Sequence, residues 1–179
     1  NGTHSLLAWL GLAAGHEFVR DAIADPAIAR AAQVHMEAAA KTLAPVPGVD
    51  AADYANALLE RFRNRAIAHR LEQIAMDGTQ KLPPRILAPA AEILSRGGDI
   101  DSFARVTAGW VWHAAQYEPL RDPRAEEIRA RLQGVPREPS ALTAALMALP
   151  GLVPPSLRDD PLWTRQVTRH VATLSVGAA

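Results

Sequence analysis

The sequence predicts an all-α fold, a single globular multi-helix domain over residues 1–179. Three observations carry that expectation. Three Asp-Pro pairs, Asp25-Pro26, Asp122-Pro123 and Asp160-Pro161, each set a capping acceptor before a residue whose fixed φ suits the first helical position. Between them apolar residues recur at helical spacing. Nowhere does an alternating or β-branched run stand between turn signals, as a strand would require.

The first apolar stretch, Ser5 to Gly15, reads as a buried helix. It is too short to cross a bilayer and lacks the basic leader of a signal peptide. From Pro26 the positions Ile28, Ala31, Ala32, Val34, Ala38, Ala39 and Leu43 carry a second helix to a break at Ala44-Pro45-Val46-Pro47-Gly48. Asp50 then caps a helix whose Tyr54, Leu58 and Phe62 form one apolar stripe directed at the core. A short helix holding Ile67, Leu71 and Ile74 follows, ended by a glycine-bearing loop at Asp77 to Lys81. Pro83-Pro84 begins the next element, Pro84 to Arg96, closed by Gly97-Gly98.

Asp101 to Tyr117, with Phe103, Val106, Trp110 and Ala114 on one stripe and Trp112 and His113 off it, is expected to be the central packed helix. Pro123 to Leu132, Ser140 to Leu149 and Pro161 to Leu174 follow as three shorter helices. The apolar positions drift irregularly, which suits a globular helical assembly rather than a coiled coil.

Composition narrows the function classes. With 49% apolar residues in 179, the chain can bury one sizeable core. Lys+Arg and Asp+Glu are both 19, without a block of like charge, which argues against a nucleic-acid or anionic-membrane surface. The absence of cysteine removes disulfides, thiolate zinc sites and cysteine nucleophiles, and fits a cytoplasmic protein.

Catalytic motifs are few. Gly11 to Gly15 lies inside a helical run and follows no strand, so it is a poor phosphate loop. His16-Glu17-Phe18-Val19-Arg20 starts like a zinc-binding helix but has Arg20 where the second histidine must stand. The six histidines, at 4, 16, 35, 69, 113 and 170, show no paired i, i+4 spacing, and no metal site is expected. By chemistry alone the chain supports a helical domain and nothing sharper, including a non-catalytic interaction or assembly module.

Two blocks change the reading. Asn1-Gly2-Thr3-His4-Ser5-Leu6-Leu7-Ala8-Trp9-Leu10-Gly11 resembles the start of the C-terminal domain of the mannitol dehydrogenase family, the long-chain polyol and hexuronate dehydrogenases. Arg61-Phe62-Arg63-Asn64, followed by Gln73 to Pro83, is similar to that family's Arg-Phe-x-Asn and Asp-Gly-Ser-x-Lys-x-Pro segments in the same order. The likeness is strong in the first half and rests mainly on helix content later.

The resemblance implies an oxidoreductase that interconverts a ketose or keto-uronate and its alcohol with NAD. Its N-terminal dinucleotide-binding domain would belong to the same polypeptide, upstream of Asn1, and hold the NAD. The family motif is a lysine, an asparagine five positions on and a histidine three beyond that; Asn1 and His4 match the last two. The lysine would act as base and Asn1 would donate to the developing alkoxide, a contact of the oxyanion-hole kind. His4, one turn on, would orient the substrate hydroxyl or the lysine. Lys81 and Arg85 are the candidates for binding substrate, and Arg61 and Asn64 read as helix-end residues satisfying free backbone groups. The stretch around Gln73 to Pro83 favours the fructuronate reductase (mannonate oxidoreductase) branch over the mannitol branch. The expected partner is thus a sugar acid or polyol.

Overall fold

The first turn of α1 sets the geometry of the candidate site. In a computed structural model, which describes residues 1–43, 50–64 and 68–176, α1 runs from Gly2 to Ala13. It starts earlier than the apolar run alone suggests, because Ser5 N–H already donates to the Asn1 carbonyl at 3.3 Å. Leu6, Leu7, Ala8 and Trp9 are fully buried, so α1 is a core helix on all sides.

A short α2, Val19–Ala24, absent from the sequence reading, fills the connection to α3, Pro26–Ala40. Asp25 caps α3 as expected, its carboxylate accepting from Ala27 and Ile28 N–H at 2.8 and 3.3 Å. The expected break at 44–48 lies outside the described residues, as does Ile67. In α4, Ala51–Arg63, Asp50 caps through the Asp53 N–H at 3.0 Å, and Phe62 is buried. Tyr54 corrects the predicted stripe: it is 62% exposed, and Leu59, one position round from Leu58, faces the core instead.

The largest departure comes after α5, Leu71–Ala75. Residues 78–82 are not a loop but the helix α6, and Pro83-Pro84 does not begin a new element. α6 runs through a π-helical turn, Pro83–Leu87, into α7, Ala88–Ser95. Two consecutive prolines remove two ladder donors, and the Ala88 N–H reaches back to the Pro83 carbonyl, five residues away, instead of breaking the rod. Lys81 and Arg85 therefore sit on one helical rod.

The start of α6 is held from a distance. Asp77 adopts a left-handed conformation (φ 58°) and its side chain does not cap. Asp122 takes that role, accepting from Thr79 N–H at 2.8 Å and Thr79 Oγ1 at 2.5 Å while also holding Arg124 N–H at 2.9 Å. Asp122 thus begins a turn before α9, Ala125–Leu132, rather than α9 itself. Gly78 is required here, because a Cβ would stand 2.2 Å from Trp110 Nε1. Asp122→Ala should cost about 2 kcal/mol, since it leaves the Thr79 donors without their charged acceptor. Urea unfolding of variant and parent checks this, and an unchanged midpoint contradicts it.

α8, Asp101–Gln116, is the central helix, as expected, packed against α1 and α12. Trp112 and His113, off its main stripe, are buried as well, at 8% and 5% exposure, because neighbours surround the helix. The C-terminal part consists of α10, Pro139–Met147, a short α11, Pro155–Arg158, and α12, Pro161–Val176. Asp160 caps α12 through Leu162 and Trp163 N–H at 2.7 and 3.0 Å. Trp9, Trp110, Trp163 and Phe103 are the largest fully buried side chains. Among the described residues there is no strand, only an isolated bridge between Phe18 and Arg70, and no helix is long and apolar enough to cross a membrane.

Candidate functional site

Three of the four proposed site residues meet at one end of α1. Asn1 stands at the N-cap position, exposed, and its side chain makes no capping hydrogen bond, so the amide is left to face outward. His4 is one turn on, half-buried, its ring edge-on to Phe62 at 4.5 Å between centroids. Arg85 arrives from the π turn, its guanidinium donating to Ser5 Oγ at 3.4 Å. Gly2 permits that approach: a Cβ there would lie 3.3 Å from the Arg85 carbonyl and 2.9 Å from His35 Nε2.

Burial is the largest cause that brings the His4 imidazole down to about 4, followed by the positive charge of the Asn1 amino group and then by those of His69, Arg85 and Arg61. His4 is accordingly neutral near pH 7. It can donate or accept one hydrogen bond at each nitrogen but adds no charge.

Lys81 is one helical turn from Arg85, with its ammonium donating to the Ile74 carbonyl at 2.9 Å. Burial pulls its pKa below the ordinary lysine value, the Asp77 carboxylate opposing and Arg85 assisting. Here Lys81 ties α6 to the end of α5, and reaching a substrate would require it to leave that carbonyl. Of the two expected binding cations, Arg85 is the one brought beside Asn1 and His4.

Sequence reasoning placed Arg61 and Asn64 as helix-end groups. Asn64 N–H does close on the Arg61 carbonyl at 3.3 Å. The Arg61 guanidinium, in contrast, caps nothing among the described residues; with Asn64, Phe62 and His69 it lines a pocket of about 90 Å³ against His4. The signal that could have separated the two was the company of acids: Arg63 has Glu60 three residues before it and Arg70 has Glu72 two after, whereas among the described residues no carboxylate pairs with Arg61.

Larger grooves open elsewhere, one of about 690 Å³ at the far end of α1 beside Arg105, Asp101 and His170. It contains none of the site residues expected from the sequence, Asn1, His4, Lys81 and Arg85. Convergence of Asn1, His4 and Arg85, rather than volume, marks the candidate site. No group of acidic and histidine side chains suited to a metal occurs among the described residues.

This helical domain, with its polar cluster at the start of α1, corresponds to a known class. Residues 1–174 match the family of the mannitol dehydrogenase C-terminal domain, and the chain belongs to that family. It is 37% identical, over 99% of its length, to the oxidoreductase YdfI of Escherichia coli (strain K12), and 36% identical over 94% to D-mannonate oxidoreductase of the same organism. It spans 38% and 36% of those two proteins. Among solved structures, the ternary complex of Pseudomonas fluorescens mannitol 2-dehydrogenase with NAD and D-mannitol superposes with a TM-score of 0.89 at 26% identity, covering 99% of this chain and 37% of that one.

Proposed function

We propose that this chain is the C-terminal, substrate-side domain of an NAD-dependent oxidoreductase that interconverts a keto-uronate and its alcohol, with fructuronate and mannonate as the preferred pair and fructose and mannitol next. The observation that carries the proposal is the meeting of an uncommitted Asn1 amide, a neutral His4 and the Arg85 guanidinium at one helix end. Relatives named for mannonate and mannitol oxidation support it.

The described residues include no strand and no glycine-rich strand-turn-helix, so they do not themselves fit a dinucleotide. NAD is assigned to an N-terminal domain of the same polypeptide, and hydride chemistry belongs to the cofactor. What these residues do is bind and orient. Asn1 donates to the substrate oxygen, a contact that strengthens as that oxygen gains charge. His4, uncharged and buried on one side, fixes a neighbouring hydroxyl or the family's lysine, placed five positions before Asn1. Arg85 offers a fork of donors to a carboxylate or to hydroxyls, and Lys81 stands one turn behind it. A cytoplasmic location is part of the same reading.

NADH oxidation by the full-length protein with fructuronate, tagaturonate and fructose, compared side by side, tests this. The expected result is turnover with a keto-uronate preferred. Preference for fructose moves the protein to the mannitol branch. No reduction of any of the three by a folded protein returns the chain to a non-catalytic helical module.

A further inference from the structure

His35 is a buried polar side chain that packing alone does not explain. It lies on α3, 1% exposed, with neither ring nitrogen hydrogen-bonded among the described residues. Burial keeps the imidazole neutral near pH 7, so it carries one N–H and one lone pair, both left without a partner. A phenylalanine of similar shape would fill the space without that cost. The ring packs edge-on against Phe103 of α8, 5.0 Å between centroids, and its Nε2 reaches the first turn of α1 at Gly2.

The same side of Gly2 has a second neighbour. A Cβ there would lie 2.9 Å from His35 Nε2 and 3.3 Å from the Arg85 carbonyl oxygen, so a donor and an acceptor converge where only glycine leaves room. The Arg85 carbonyl also lacks the donor that a regular helix would supply. That donor would be the N–H four positions on, and the residue there is Pro89. A buried N–H in need of an acceptor thus stands near a carbonyl deprived of its donor, at a π turn of the kind that recurs at functional sites. The two are not bonded in this structure, and movement of the π turn towards α3 would join them.

We propose that His35 is a positioning residue: in the substrate-bound enzyme its Nε2–H donates to the Arg85 carbonyl, fixes the π turn against the start of α1 and holds the Arg85 guanidinium on the substrate. This rests on the reading of Asn1, His4 and Arg85 as the substrate wall. His35 itself touches no substrate, since it is closed to solvent behind Gly2. Its contribution is to binding, because ordering a long arginine side chain costs less when the backbone that carries it is already held.

The test uses the full-length protein with whichever of fructuronate, tagaturonate and fructose it reduces best. His35→Phe should raise KM about 10-fold with kcat changed less than about 3-fold, the size expected for one lost hydrogen bond. Its urea midpoint at pH 7.5 should be no lower than the parent's. His35→Gln, whose amide can donate to the same carbonyl, should recover most of the loss in KM. Arg85→Met should itself raise KM, and adding His35→Phe to it should raise KM no further, because His35 acts through Arg85. An unchanged KM in His35→Phe, a loss in both His35 variants that follows a fall in the urea midpoint, or a full additional loss in the Arg85→Met background would overturn this role while leaving the Asn1 and His4 reading intact. A parent that reduces none of the three would overturn both.

Discussion

Asn1→Ala in the full-length enzyme should lower kcat by about 100- to 1,000-fold while KM changes little. The size follows from what a single donor aimed at developing negative charge contributes in a site shielded from water, roughly 3–4 kcal/mol. The split follows from when the contact matters: a neutral carbonyl or alcohol gains little from the amide, and the charged oxygen gains much. In most helices such a variant would be ambiguous, since an asparagine at the N-cap position commonly holds the first turn together. Here the Asn1 side chain makes no capping hydrogen bond, so thermal stability should be unaffected. A loss of less than threefold, or a loss that tracks a fall in the unfolding midpoint, contradicts a catalytic role for Asn1.

Acid should unfold this domain well before its carboxylates titrate. His35 is 1% exposed, and neither ring nitrogen has a hydrogen-bond partner among the described residues; its ring stands edge-on to Phe103 at 5.0 Å. His113 is 5% exposed, its Nδ1 also without a partner, its ring 4.5 Å from that of Tyr117. Burial is the largest cause that brings both imidazoles down to about 4 from the ordinary 6.5, with the positive Asn1 amino group adding to it at His35 and the Asp122 carboxylate opposing it at His113.

A histidine whose folded pKa is depressed contributes stability that is present in full above the unfolded value. That contribution is lost as pH falls, because the unfolded chain takes up a proton the folded one refuses. The window is therefore about pH 6.5 down to about pH 4. By pH 5 the loss is on the order of 2 kcal/mol for each histidine, about 4 kcal/mol together, a large share of the stability of a domain this size. Urea midpoints at pH 7.5, 6 and 5 measure it, and His35→Phe should remove about half of the slope. A midpoint that stays flat from pH 7.5 to pH 5 contradicts the prediction.

The fold class was legible because helix starts are written locally. Asp25 and Asp160 cap where the Asp-Pro pairs said they would, and the 3.6-residue pattern of Phe103, Val106 and Trp110 identified the central helix. What stayed hidden depended on partners distant in sequence. Gly78 to Pro84 reads as loop and restart, yet Asp122 caps α6 from 43 residues away and a π turn absorbs the prolines. Tyr54 fits the apolar period but faces solvent, since period alone does not fix where a stripe ends.

The same division holds at the site. Asn1 and His4 came from a short motif whose members share one turn of helix. Arg85 beside Ser5 joins positions 80 residues apart, and only the small Gly2 hinted at a close approach.

Hydrogen–deuterium exchange on the full-length protein, with and without D-mannonate and NAD, tests most directly where the substrate sits. The N–H groups at the start of α1 have no intrahelical acceptor and exchange freely unless something covers them. Slowed exchange across residues 1–4 and across the π turn around Arg85, with the groove beside Arg105 and His170 unchanged, is the expected result. Protection confined to that distant groove, with residues 1–4 as fast as in the free protein, would contradict the placement of the substrate at Asn1 and His4.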